Sequence, residues 1–264
     1  MKYNKWLGIA ISIVGILTGL LLFYYLSQEY MTVVHGKNAQ GRPDEALAVI
    51  VTYSMLGWIG ISASALWAAV LYGFANNKSW AWFWGVLAAS LQMLAGFFPT
   101  IPAKSIDLPA ATMPVFIIAT ALWFLTLYAG KVNRKVIALI FVAGLAYVLT
   151  YIDGVAIISK YQTTTYNDVW KGMYAVVMMV TWFGATAWLI FSLAVLRHKT
   201  WAVPLGVFAA LMSMIGGYPL AVVNIMEVHR FSMFLPGPLM ATILLPIILL
   251  PKTKELIENW ASVK

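Results

Sequence analysis

The chain has no cysteine among its 264 residues and only nine acidic side chains. The missing thiols exclude disulfides, thiol catalysis, iron–sulfur clusters and cysteine-ligated zinc. Charge is scarce altogether. Only 10% of residues are charged, where soluble domains carry about a quarter. The three histidines, His35, His198 and His229, fall in predicted connections, and His198 lies on the opposite side from the other two. A haem buried between facing histidine pairs is therefore excluded. Also missing are a lysine within a span suited to a Schiff base, a carboxylate-rich prenyltransferase motif, a Gly-x-Ser nucleophile and a phosphate loop. The sequence calls for no metal and no cofactor.

What is abundant is apolar surface. Hydrophobic residues make up 62% of the chain, and the mean hydropathy is +0.85. The apolar runs are continuous, without the period-two alternation of a membrane barrel. This composition identifies an all-α polytopic membrane protein. A helix needs about 20 apolar residues to cross about 30 Å of hydrocarbon, and the runs divide into eight such spans.

The first span is read from Trp6 to Leu26, with Gly8, Ser12, Gly15 and Gly19 in one stripe that admits a close neighbour. It follows a basic start and lacks a small-x-small cleavage site, so it reads as a span and not as a signal peptide. A polar loop, Ser27 to Glu45, leads to the second span, Ala46 to Phe74, with Gly60, Ser64 and Ala68 at four-residue spacing. The third is Ser79 to Phe98, opened by the interfacial aromatics Trp80, Trp82 and Trp84. The fourth is Thr112 to Ala129, and the basic cluster Lys131, Arg134 and Lys135 follows it. The fifth, Val136 to Ile158, contains Asp153. After the loop Tyr161 to Asp168 come the sixth, Val169 to Leu196, and the seventh, Thr200 to Tyr218. An apolar connection, Pro219 to Leu235, precedes the eighth, Pro236 to Leu250, and the tail from Lys252 suits an amphipathic surface helix.

The halves echo one another. Trp67, Lys78, Trp80, Gly85, Met93 and Gly96 recur as Trp188, Lys199, Trp201, Gly206, Met214 and Gly217, each 121 residues later. Met113-Pro114 matches Leu235-Pro236 at 122 residues, and Gly15 falls on Gly144 at 129, which pairs Asp153 with Tyr24. The expectation is a single transmembrane domain of two parallel four-helix pseudo-repeats, residues 1–130 and 131–264. Eleven of the 17 basic residues fall on the side of the termini, and seven of the nine acidic residues on the other. By the positive-inside rule both termini are cytoplasmic, in the cell membrane. The net charge of +8 is thereby accounted for without a nucleic-acid partner.

Few side chains offer chemistry. Asp153 is the only charge well inside a span, and such a residue marks function by default, with Tyr24 and Tyr151 at its depth. Asn224, Glu227, His229 and Arg230 form a polar group beside the outer surface, where a Glu/His pair suits acid–base work or head-group binding. Asp153, Glu227 and His229 are the catalytic candidates. Gln92 and Ser213 hold equivalent places in the third and seventh spans; they read foremost as interhelical hydrogen-bond formers and also as ligand-binding positions. The methionines of the second half read as packing.

Three functions remain open. The leading one is an integral subunit or binding protein of a membrane complex, such as a respiratory one, with membrane lipids and other membrane subunits as partners and a lipid or quinone held near the outer leaflet. The alternatives are an enzyme acting on an isoprenoid or lipid head group at the outer face, and a small-molecule transporter built from duplicated halves.

Overall fold

A computed structural model describes residues 4–163, 168–229 and 231–260, with side chains except at 159–163, 168, 170, 227 and 228. The described residues form ten helices and no strand: α1 (Lys5–Ala39), α2 (Pro43–Ala75), α3 (Ala81–Phe97), α4 (Thr100–Lys104), α5 (Met113–Ala129), α6 (Arg134–Thr163), α7 (Asp168–Leu196), α8 (Ala202–Val228), α9 (Pro236–Leu249) and α10 (Pro251–Asn259). Six helical segments are long and apolar enough to cross a membrane, with α5 and α9 as shorter apolar helices. This is a multi-pass membrane protein. The helices fall into two compact units, residues 1–131 and 132–264.

In the first unit α1 and α2 form an antiparallel hairpin, and the small residues of α1 explain why they pack so closely. Gly8 rests on Phe74, Gly15 on the Trp67 indole, and Gly19 on Ser64 and the Gly60 carbonyl, with no room for a Cβ at any of the three. Without a hydrophobic drive between helices in lipid, such close backbone approach is what holds them. α3 and α5 complete the unit, with Gly96 against the Phe116 backbone and Gly85 against Thr126.

The predicted loop at 27–45 is mostly helix. α1 continues to Ala39, and only Gln40–Arg42 turn the chain. At 1.5 Å per residue α1 is about 52 Å long, well beyond the hydrocarbon. Gln28, Glu29, His35 and Lys37 are polar, but none breaks a helix, since its backbone bonds are internal. α8 likewise carries on through Pro219 to Val228, where a connection was expected. Proline there removes one N–H, which a long membrane helix tolerates.

The second unit shows several comparable local features. The buried positions 8, 11, 12, 15, 18, 19, 22 and 26 of α1 have buried counterparts at 136, 139, 140, 143, 146, 147, 150 and 154 of α6, every one 128 residues further on. The two glycines expected to pair at 129 differ in their surroundings: Gly15 carries Trp67, while nothing lies within 4 Å of a Cβ on Gly144. An alignment of α1 with α6 by burial sets Tyr25 opposite Asp153, where glycine identity sets Tyr24. Trp67 and Trp188 are both fully buried. Gly206 packs on Phe191 and Ile248, and Gly217 on Pro238, as Gly85 and Gly96 pack on Thr126 and Phe116.

The turns match as well. Lys78 N–H bonds to Gly73 O at 2.8 Å and Lys199 N–H to Ala194 O at 3.0 Å. Asn77 and His198 each adopt φ 53° between the helices they join. The tail is tied down by Trp260, whose indole donates to Val195 O at 2.9 Å and stacks on His198 with centroids 4.5 Å apart.

Candidate functional site

Among the described residues, three buried side-chain polar atoms lack a hydrogen-bond partner: Thr112 Oγ1, Asp153 Oδ2 and Trp182 Nε1. Two of the three lie in the second unit. Asp153 lies about 30 Å along α6 from Arg134, near the far end of that span, and is only 2% exposed. Gly237 of α9 lies against it, so close that a Cβ there would sit 2.6 Å from Oδ2. Gly154, the next residue, carries the edge of the Trp182 indole from α7, and its Cβ would lie 2.5 Å from Nε1. Gly216 of α8 receives the Thr181 methyl, closing the packing beneath.

The local sequence limits the donors within reach of Asp153 Oδ2. A helix N-terminus ordinarily offers free N–H groups, and α9 begins beside Asp153. It begins, however, as Pro236-Gly237-Pro238, and the prolines have no N–H to give. Leu239 N–H is already bonded to Leu235 O at 3.2 Å. An unmet buried donor or acceptor costs about 1–3 kcal/mol. An apolar cluster follows along α6: Ile157, one turn beyond Asp153, packs with Tyr174, Leu220 and Phe234, and Val177 and Met178 close over it.

The other sequence candidates are placed differently. Gln92 is fully engaged: Trp67 Nε1 donates to its Oε1 at 2.9 Å, and its Nε2 donates to Gly15 O at 2.7 Å. Ser213 accepts from Trp188 Nε1 and from Thr150 Oγ1, both at 3.0 Å, and donates to Ala209 O. Both residues lock helices together. Tyr24 is 56% exposed on the outer face of α1. Tyr151 and Asn224 are half-buried on α6 and α8. His229 is exposed and caps α8 in a left-handed conformation, its N–H on Ile225 O. The Glu227 side chain and Arg230 lie outside the described residues.

Two features escaped sequence reasoning. Gly237 packs against Asp153 and Trp182 against the next residue, Gly154, and the Pro-Gly-Pro start of α9 was the available signal for the first of these contacts. In the first unit Lys37 is buried, pairs with Glu45 and donates to Ser105 Oγ at 2.6 Å. It ties the α1–α2 turn to the short α4. Ile106 fills the notch at Gly36 beside it.

No protein-family model matches the chain, and no curated protein or solved structure matches it.

Proposed function

We propose that this chain is an integral membrane subunit or binding protein, built from two parallel four-helix pseudo-repeats, which packs in a membrane complex and holds a small apolar ligand with a polar head near the outer leaflet. Eight spans result when α5 and α9 are counted with the six longer ones. Both termini then lie on the cytoplasmic side of the cell membrane, with the basic turns at Lys78, Lys131 and Lys199. Support for the repeat comes from the matched burial of α1 with α6, the matched turns and the indole locks at Trp67 and Trp188.

The observation that carries the functional reading is how the polar groups at the locks are used. Gln92 and Ser213, with Trp67, Trp188 and Thr150, are consumed in holding helices to one another. A transporter needs free polar groups along its path, and this pattern disfavours one. The unmet hydrogen-bonding capacity of Asp153, near the far end of α6, supports binding of a polar group there.

Extraction in a mild detergent, followed by mass spectrometry of every protein and lipid that comes along, tests the reading. Co-purification of other membrane subunits in fixed proportion is the expected result. A chain that emerges alone and monodisperse would overturn it.

A further inference from the structure

We infer that α8 is hinged at residues 216–219, Gly-Gly-Tyr-Pro, and that its last stretch, residues 220–228, swings on the anchored remainder and uncovers the face of α6 that carries Asp153 and Ile157. The hinge does not depend on the binding role proposed above.

The sequence supplies the weak point. Pro219 lies inside α8 and has no N–H, so the Ile215 carbonyl four residues earlier loses its helical donor. Gly216 and Gly217 add backbone freedom in the same turn. Sharp bends in helices fall almost always at residues of these two kinds. In the first unit the chain breaks outright after a similar run: Gly96 is followed by the end of α3 at Phe97, and Pro99 leads into the separate helix α4. α8 carries on through its own Gly-Gly-Tyr-Pro.

Packing differs on the two sides of the hinge. Before it, Ser213 accepts from Trp188 of α7 and from Thr150 of α6, both at 3.0 Å. At the hinge itself Gly216 lies against Thr181 and Gly217 against Pro238, and the Tyr218 hydroxyl bonds Thr242 Oγ1 of α9 at 2.7 Å. These contacts hold the pivot to α6, α7 and α9. Beyond Pro219 the packing is apolar. Leu220 and Ala221 are buried in one cluster with Ile157, Tyr174 and Phe234, while Val222 and Met226 are exposed. Segments held by few buried contacts are the ones that open locally while the rest stays folded. Asp153 and Ile157, one turn apart, share a face of α6, and both are buried. A swing of residues 220–228 off Ile157 bares the approach to Asp153 along that face.

The test uses the full chain in mild detergent, where introduced thiols have no native competitor. Spin labels at Phe208→Cys and Met226→Cys, both exposed on α8, stand about 27 Å apart along a straight helix. Pulsed dipolar spectroscopy should give a distance distribution roughly twice as broad in this background as in one that also carries Pro219→Ala. That substitution restores the N–H at an exposed position and removes no buried contact. A control pair before the hinge, Trp201→Cys with Ile215→Cys, should be equally narrow with and without it. As a second readout, a single thiol at the buried Ala221→Cys should react with N-ethylmaleimide about tenfold more slowly once Pro219→Ala is added. Ala209→Cys, equally buried but before the hinge, reports global opening and should react more slowly than Ala221→Cys. Circular dichroism melting confirms folding, and Pro219→Leu, which also restores the N–H, decides the matter if Pro219→Ala does not fold. Distance distributions unchanged by the loss of Pro219, or Ala221→Cys no more reactive than Ala209→Cys, would overturn the hinge.

Discussion

Trp67 donates its indole N–H to Gln92 Oε1 at 2.9 Å, joining α2 to α3 through two fully buried side chains. The amide's other end donates to Gly15 O, so one glutamine holds three helices. Trp188 and Ser213, at the same separation of 25 residues, repeat the contact with a hydroxyl in place of the amide. The difference in reach is compensated by Thr150, which supplies a second donor to Ser213 from α6.

Gln92→Leu and Ser213→Ala should therefore each destabilise their own unit, because each breaks two interhelical hydrogen bonds. Interhelical hydrogen bonds in membranes contribute about 0.6 kcal/mol on average and up to about 1.7 kcal/mol. A double-mutant cycle of Trp67→Phe and Gln92→Leu, followed by unfolding in mixed micelles, should give a coupling in that range. Additive effects would show the bond to be energetically idle.

The two glycines that sequence matching paired should behave oppositely. Gly15→Ala drives a methyl into the Trp67 ring, which is itself fully buried and cannot retreat. Overpacking of this kind costs typically 1–3 kcal/mol. Gly144→Ala meets nothing within 4 Å and raises helix propensity by up to about 1 kcal/mol. Melting temperatures of the two variants should move down and up respectively.

That contrast marks what was legible in the sequence. Length and hydropathy settle that the chain is helical and membrane-spanning, and Trp67 and Trp188, picked out by their spacing, are both fully buried. Glycine identity and burial align α1 with α6 one residue apart, since leucine, alanine and glycine exchange freely on such faces. Asp153 stood out because a charge inside a span is rare. Trp182 did not, because one tryptophan among twelve carries no mark until its N–H is seen to lack a partner. Helix lengths beyond the membrane were missed for another reason: hydropathy reports the bilayer, and the backbone of α1 stays helical past it.

Lys37 and Glu45 offer a test of burial against charge. Lys37 is 3% exposed in its side chain and Glu45 is 39% exposed. Removing the glutamate strands a buried ammonium, whereas removing the lysine leaves a carboxylate that water reaches. Glu45→Gln should therefore cost more than Lys37→Met, by roughly 1–3 kcal/mol for the uncompensated group. The reverse order in thermal unfolding would refute the asymmetry.

Asp153→Leu should leave the ligand-free protein as stable as the wild type, or more so. It replaces an acceptor that has no partner with an apolar group of similar size, and such replacements at buried polar sites are often neutral or stabilising. A carboxyl retained at that cost in a membrane helix fits a residue kept for binding. A large fall in melting temperature for Asp153→Leu in ligand-free protein would instead give the carboxyl a structural partner, and the site would lose its claim.

The absence of cysteine makes the proposed orientation directly measurable, since every introduced thiol is the only one in the chain. Gln40 and Lys104 lie at the ends of α1 and α4, and Lys78 and Lys199 at the tight turns before α3 and α8; all four are exposed. With both termini cytoplasmic, an even number of crossings separates Lys78 and Lys199 from the N-terminus, and an odd number separates Gln40 and Lys104. Single Gln40→Cys and Lys104→Cys variants in intact cells should react with a membrane-impermeant maleimide. Lys78→Cys and Lys199→Cys should react only after the membrane is opened. If Lys78→Cys and Lys199→Cys label on opposite sides, the units are not parallel, and the repeat would be an inverted one despite the matched turns.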